Sequence, residues 1–122
     1  HLHGSVYRHA NFRDCGYLLS IGGLKFFQPG DTVLLHEHLE IESVDVLFVS
    51  PTEHNMKIEQ SIRLIDATRP RFIFPQHFGT YRQTGENSYW TKGYPDELLA
   101  ALPALERPLF HKLEQGDVYR LS

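Results

Sequence analysis

The chain has 122 residues, 41% of them hydrophobic, which suits one domain or a piece of one. A net charge of -3 and a pI near 6.2 leave no basic footprint, so nucleic acid is not an expected partner. No apolar stretch approaches the roughly 20 residues that cross a bilayer, the polar amino end carries no secretory pattern, and one cysteine, Cys15, cannot form an internal disulfide. These features favour a reducing, cytoplasmic setting. The chain opens at His1 rather than Met, which reads as a partial or processed chain.

Taken in order, Gly16–Ile21 is apolar enough for a strand, and Gly22-Gly23 is a hairpin turn into a second strand, Leu24–Phe27. Val33–Ile41 is compatible with a short helix or a loop. Val44–Val49 is the clearest buried strand. A helix follows, with Ile58, Ile62 and Ile65 on one face, Asn55 as its N-cap and Arg69-Pro70 as its stop. Arg71–Pro75 returns as a strand. Thr80–Gly93 is a long loop with Tyr81, Tyr89 and Trp90, long enough for a lid. Pro95-Asp96-Glu97 starts a helix that buries Leu98, Leu99 and Leu102. Pro108–Leu113 and Val118–Leu121 read as a hairpin across Gln115-Gly116-Asp117. This alternation predicts an α/β layered domain, a sheet with helices on a face.

Three apolar runs end in residues of metal-ligand type: Asp31 after Pro29-Gly30, His54 after Ser50-Pro51-Thr52-Glu53, and His77 after Pro75-Gln76. If the three strands are parallel neighbours, these side chains converge where open α/β sheets bind ligands. Carboxylate and imidazole together suit zinc, manganese or iron. Asp31 also fits an Asx turn holding the amides of Val33 and Leu34. His77 also fits a structural histidine bonded to a carbonyl. His36 and His38, two residues apart, diverge and read as surface. Cys15 beside Asp14 is not expected to be a nucleophile, and His111 reads as structural.

In order and separation, strand-Gly30-Asp31, the Val44–Val49 strand, a helix, and Phe74-Pro75-Gln76-His77-Phe78-Gly79-Thr80 resemble the carboxyl half of the metallo-β-lactamase superfamily, especially its lactonase-like and phosphodiesterase-like hydrolases. The resemblance spans about residues 1–122. It implies one domain that is half of an αββα sandwich, a mixed sheet with helices on one face. It also implies two divalent ions in the complete fold, zinc first, with manganese or iron as alternatives. Asp31 would bridge the ions and His77 would bind the second. The superfamily has a further histidine before the Gly-Asp strand; His3 fits best, with His1 and His9 as alternatives. His54 would be a pocket residue assisting catalysis. The superfamily's His-x-His-x-Asp-His run has no counterpart here, since His36-Glu37-His38 follows Asp31 rather than preceding it.

Two functions follow from the resemblance. The first is a metal-dependent hydrolase, with metal-activated hydroxide attacking a small-molecule lactone, ester, amide or phosphodiester, and this chain alone inactive. The second is a non-catalytic binding or assembly module of the same half-fold. Such a chain should form a homodimer or require its missing amino-terminal half.

Overall fold

The computed structural model describes residues 2–4, 11–53, 55–79, 82, 84–86 and 94–122, with side chains from residue 15 onward. Five strands, β1 (Leu2–Gly4), β2 (Asn11–Ile21), β3 (Leu24–Gln28), β4 (Val46–Val49) and β5 (Phe72–Pro75), form one sheet in chain order. The β2–β3 hairpin turns through Gly22 and Gly23, both at positive φ, as a tight hairpin demands. β1 is antiparallel to β2, whereas β3, β4 and β5 run parallel. Parallel neighbours need crossovers. Here these contain the single turn α1 (His36–Leu39) and the helix α2 (Lys57–Thr68). A third helix, α3 (Tyr94–Ala101), packs with α2.

The sheet is mixed and the helices give it one dry face. Phe27, Leu47, Val49 and Ile73 alternate onto that face and meet Leu64 and Ile65 of α2 and Leu98 of α3. The buried residues of α2 are Ser61, Leu64, Ile65 and Thr68; Ile58 and Ile62 pack only partly against the core. Polar Ser61 and Thr68 are tolerated inside because their hydroxyls bond the carbonyls of Lys57 and Leu64. Arg69, in the left-handed region, ends α2 just before Pro70.

Three expectations are corrected. Asn55 does not cap α2: Met56 holds that position and no side chain caps it. His38 is fully buried, accepting the Leu35 N–H at Nδ1 (3.1 Å) and packing on Phe27 at 5.8 Å. The single turn of α1 sends His36 outward and His38 in. The carboxyl-terminal hairpin is absent among the described residues. Its turn forms, with the Glu114 N–H on Asp117 Oδ2 and the Asp117 N–H on the Glu114 carbonyl, but no strands flank it. Instead Tyr119 packs edge-on against Phe74 at 5.2 Å, covering the sheet face opposite the helices. The suggested lid over 80–93 lies mostly outside the described residues.

Asp45 ties together the amino ends of the parallel strands. Its carboxylate accepts the Lys25 N–H (2.8 Å) and pairs with Arg71 (3.3 Å), and its carbonyl accepts the N–H groups of Arg71 and Phe72. The hydrogen bond from the Lys25 amide holds the Asp45 carboxyl below the usual range; burial opposes it, and the hydrogen bond and charge of Arg71 add to the lowering. A folded value below the unfolded one of about 3.9 gives stability that is present at neutral pH and lost as the pH falls through the folded value. Asp45→Asn should therefore lower the urea midpoint at pH 7 and have progressively less effect below about pH 4. An equal loss at both pH values would contradict this role.

Candidate metal centre

Because β3, β4 and β5 run the same way, the loops after them share one end of the sheet. The loop after β3 is held from three sides. Gly16 of β2 faces it without a side chain, and a Cβ there would lie 2.8 Å from the Pro29 carbonyl oxygen and 2.9 Å from that of Gln28. Gly30, at φ 77°, turns the chain, and its N–H donates to Gln28 Oε1 (3.1 Å). The Leu34 N–H is taken by Gln60 Oε1 of α2 (3.1 Å). Leu34 thus has a partner on α2 instead of Asp31. The Asp31 carboxylate, 56% exposed, projects from this frame.

On the third parallel strand, the Gln76 N–H donates to the Val49 carbonyl (2.8 Å), and the next residue, His77, lies at φ 59°. That region is uncommon for a residue with a Cβ, and surrounding contacts must sustain it. The result brings His77 Nδ1 to 3.0 Å from Asp31 Oδ1 and 3.0 Å from the amide Nδ2 of Asn55. Gln28 and Gln76 form a reciprocal pair of amide hydrogen bonds across β4. By alternation they share a face with Phe48 and Phe74, whose rings stack at 5.9 Å beneath them.

Asp31 and His77 therefore converge as their strand-tip positions predict. His54 lies outside the described residues, as do His1 and His9. His3 is described only by its backbone, which pairs with Cys15 across β1 and β2; the Cys15 carbonyl in turn lies against Gly30. No cluster of three or more histidine, cysteine, aspartate or glutamate side chains stands ready for a metal among the described residues. The donor pair itself suits a cation. Carboxylate and imidazole are both donor types that a divalent ion such as zinc accepts, and the 3.0 Å contact brings the two side chains to one place. A hydrolytic zinc site takes about three protein ligands, so Asp31 and His77 fit as part of a set.

The composition of this sheet end departs from the sequence-based expectation in its supporting residues. Asn55, expected as a helix cap, faces His77, while Gln28, Gln76 and Gly16 were not anticipated as parts of the site. The one available signal was the recurrence of glutamine at the ends of two strands. Among the described residues, the buried hydroxyls of Ser50 and Thr52, in the loop after β4, have no hydrogen-bond partner. A groove of about 530 Å³ runs from Gln76, His77, Phe78 and Gly79 to Leu113 and Glu114.

Among the described residues, a mixed sheet with helices on one face thus carries a carboxylate–imidazole pair at the ends of its parallel strands. No family model matches the chain. It is 33% identical over 72 residues to a UPF0173 metal-dependent hydrolase of Carboxydothermus hydrogenoformans, covering 55% of this chain and 31% of that protein. Its fold matches a metallo-hydrolase from Ignicoccus hospitalis with a TM-score of 0.68 at 20% identity, over 95% of this chain and 48% of the other. A Thermotoga maritima chain, assigned to the metallo-β-lactamase superfamily as a Zn-dependent hydrolase, matches with a TM-score of 0.56 at 20% identity, over 71% and 44%. The fold is thus similar to part of the fold of these proteins, and the chain spans from about a third to a half of their length.

Two experiments probe this frame. Gly16→Ala drives a methyl group into the Gln28–Pro29 backbone and should destabilise the protein by about 1–3 kcal/mol, read by urea unfolding. In a double-mutant cycle, Gln28→Ala and Gln76→Ala should couple by about 0.5–1.5 kcal/mol. Additive losses would mean that the amide pair does not join the strand ends.

Proposed function

We propose that this chain is the carboxyl-terminal half of a metal-dependent hydrolase that cleaves a small-molecule lactone, ester, amide or phosphodiester. The observation that carries the proposal is the 3.0 Å approach of Asp31 and His77 at the ends of parallel strands. We assign zinc first, with manganese or iron as alternatives, since all three accept this donor pair. In the complete fold two ions are expected, Asp31 bridging them and His77 holding the second. His3 is the proposed further donor and His54 a proposed pocket residue. When bound, such ions supply Lewis acidity that polarises the scissile group and acidifies water.

The chain's own residues supply the mounting and the groove. Gly16, Gly30 and Gln60 hold the Asp31 loop, and the Gln28–Gln76 pair sets its distance from the His77 loop. Phe78 and Leu113 give the groove apolar walls, while Gln76 and Glu114 give it polar ones. These residues bind and orient a small substrate beside the donor pair. The lone cysteine favours a cytoplasmic setting. Among the described residues no helix is long and apolar enough to cross a membrane.

Elemental analysis after equilibration with zinc tests the donor assignment. Asp31→Asn and His77→Gln should each weaken zinc binding by at least about tenfold. The same analysis on a chain extended at its amino end should find two ions. Unchanged zinc binding in both variants would overturn the assignment.

A second function, a non-catalytic assembly module, is favoured by one observation. On β2, Leu19 is 44% and Ile21 61% exposed, on the sheet face that also carries Phe26. Apolar surface of this kind promotes association. Light scattering reporting a dimer, together with absence of zinc binding, would favour that function over hydrolysis.

A further inference from the structure

We propose that Asn55 is a positioning residue for His77: its side-chain amide accepts the Nδ1 proton and leaves Nε2 as the nitrogen offered to a divalent ion. This rests on the assignment of His77 as a metal donor, and adds to it the residue that orients the ring.

The argument starts from one crowded atom. His77 Nδ1 has two neighbours at 3.0 Å, Asp31 Oδ1 and the side-chain amide of Asn55. A ring nitrogen offers either one proton or one lone pair. With a lone pair on Nδ1, an amide N–H from Asn55 is satisfied, but a carboxylate oxygen then faces the same electrons. With a proton on Nδ1, Asp31 is satisfied, but the amide N–H confronts another donor. A half-turn of the Asn55 amide, which leaves its shape unchanged, removes the conflict. Oδ1 then replaces Nδ2, and a single N–H lies between two oxygen acceptors.

Asn55 is built to serve that purpose. It is 3% exposed, its backbone N–H is bound to the Thr52 carbonyl at 3.0 Å, and fully buried Met56 follows it. The amide therefore cannot retreat into solvent, and it does not cap α2. His77 lies at φ 59° and is 46% exposed, with no partner at Nε2 among the described residues. His77 also lines the groove at this end of the sheet. Metal-ligating histidines generally give their second N–H to a fixed acceptor, which sets the tautomer and orients the ring. Here two acceptors are present. When Asp31 engages an ion, Asn55 still holds the Nδ1 proton.

The test is ¹⁵N NMR of the ring nitrogens in the ion-free chain at about pH 8, above the ordinary imidazole value of about 6.5. Signals of His77 are identified by their loss in His77→Gln. The expected ring is protonated at Nδ1 and unprotonated at Nε2. Asn55→Asp, which keeps an oxygen acceptor, should retain that form. Asn55→Ala should shift the ring toward a mixture of tautomers and weaken zinc binding about 10–100-fold. A wild-type ring protonated at Nε2, or an unchanged ring in Asn55→Ala, overturns the proposal. Should Asn55→Ala fail to fold, the wild-type and Asn55→Asp spectra decide it. A ring protonated at Nδ1 in a chain whose zinc binding ignores His77→Gln upholds the orientation by Asn55 but removes the donor role of His77. Zinc binding that depends on His77 with the opposite tautomer removes Asn55 alone.

Discussion

The parallel pairing of β3, β4 and β5 is the constraint from which the rest of the structure follows. It places the ends of β3 and β5 on opposite sides of β4 but at one end of the sheet. Two residues 46 positions apart in the chain, Asp31 and His77, thereby come within hydrogen-bond distance. Asp45 at the amino ends and the Gln28–Gln76 pair at the carboxyl ends hold the three strands from both sides. The site is therefore a property of the sheet, and each loop contributes one turn of backbone and one side chain.

Much of this was legible in the residues. Short β-branched and aromatic runs cut by Pro or Gly mark β3, β4 and β5, because such residues fill a pleated, buried surface and such breakers end it. The Gly-Asp and Pro-Gln-His tips follow directly, and with them the two donors that meet. The helix over Lys57–Thr68 was visible in its period, although its face turned so that Ser61 and Thr68 lie inside. That rotation is invisible to hydrophobicity, since it depends on hydroxyls bonding carbonyls within the same helix.

What escaped is of one kind: residues whose partners lie far along the chain. Asn55 carries a local signal for a helix cap, yet its side chain is taken by His77, 22 positions on. His38 resembles a surface histidine in sequence, but a four-residue helix against Phe27 buries it. Gly16 shows no turn signal at all; its need for a bare backbone arises only because Pro29 passes beside it. The carboxyl-terminal segment has alternating residues suited to a strand, but Tyr119 instead packs on Phe74, His111 and Phe72. Tertiary packing overrides the alternation there.

The Gln28–Gln76 amide pair has a consequence for how the site behaves in acid and in salt. Carboxylates and imidazoles change charge with pH, and their attraction fades as ions are added. Amide-to-amide hydrogen bonds carry no net charge and do neither. The scaffold beneath Asp31 and His77 is thus electrically silent. Protons and electrolytes leave the amide pair as it is, and with it the spacing of the strand ends that carry Asp31 and His77.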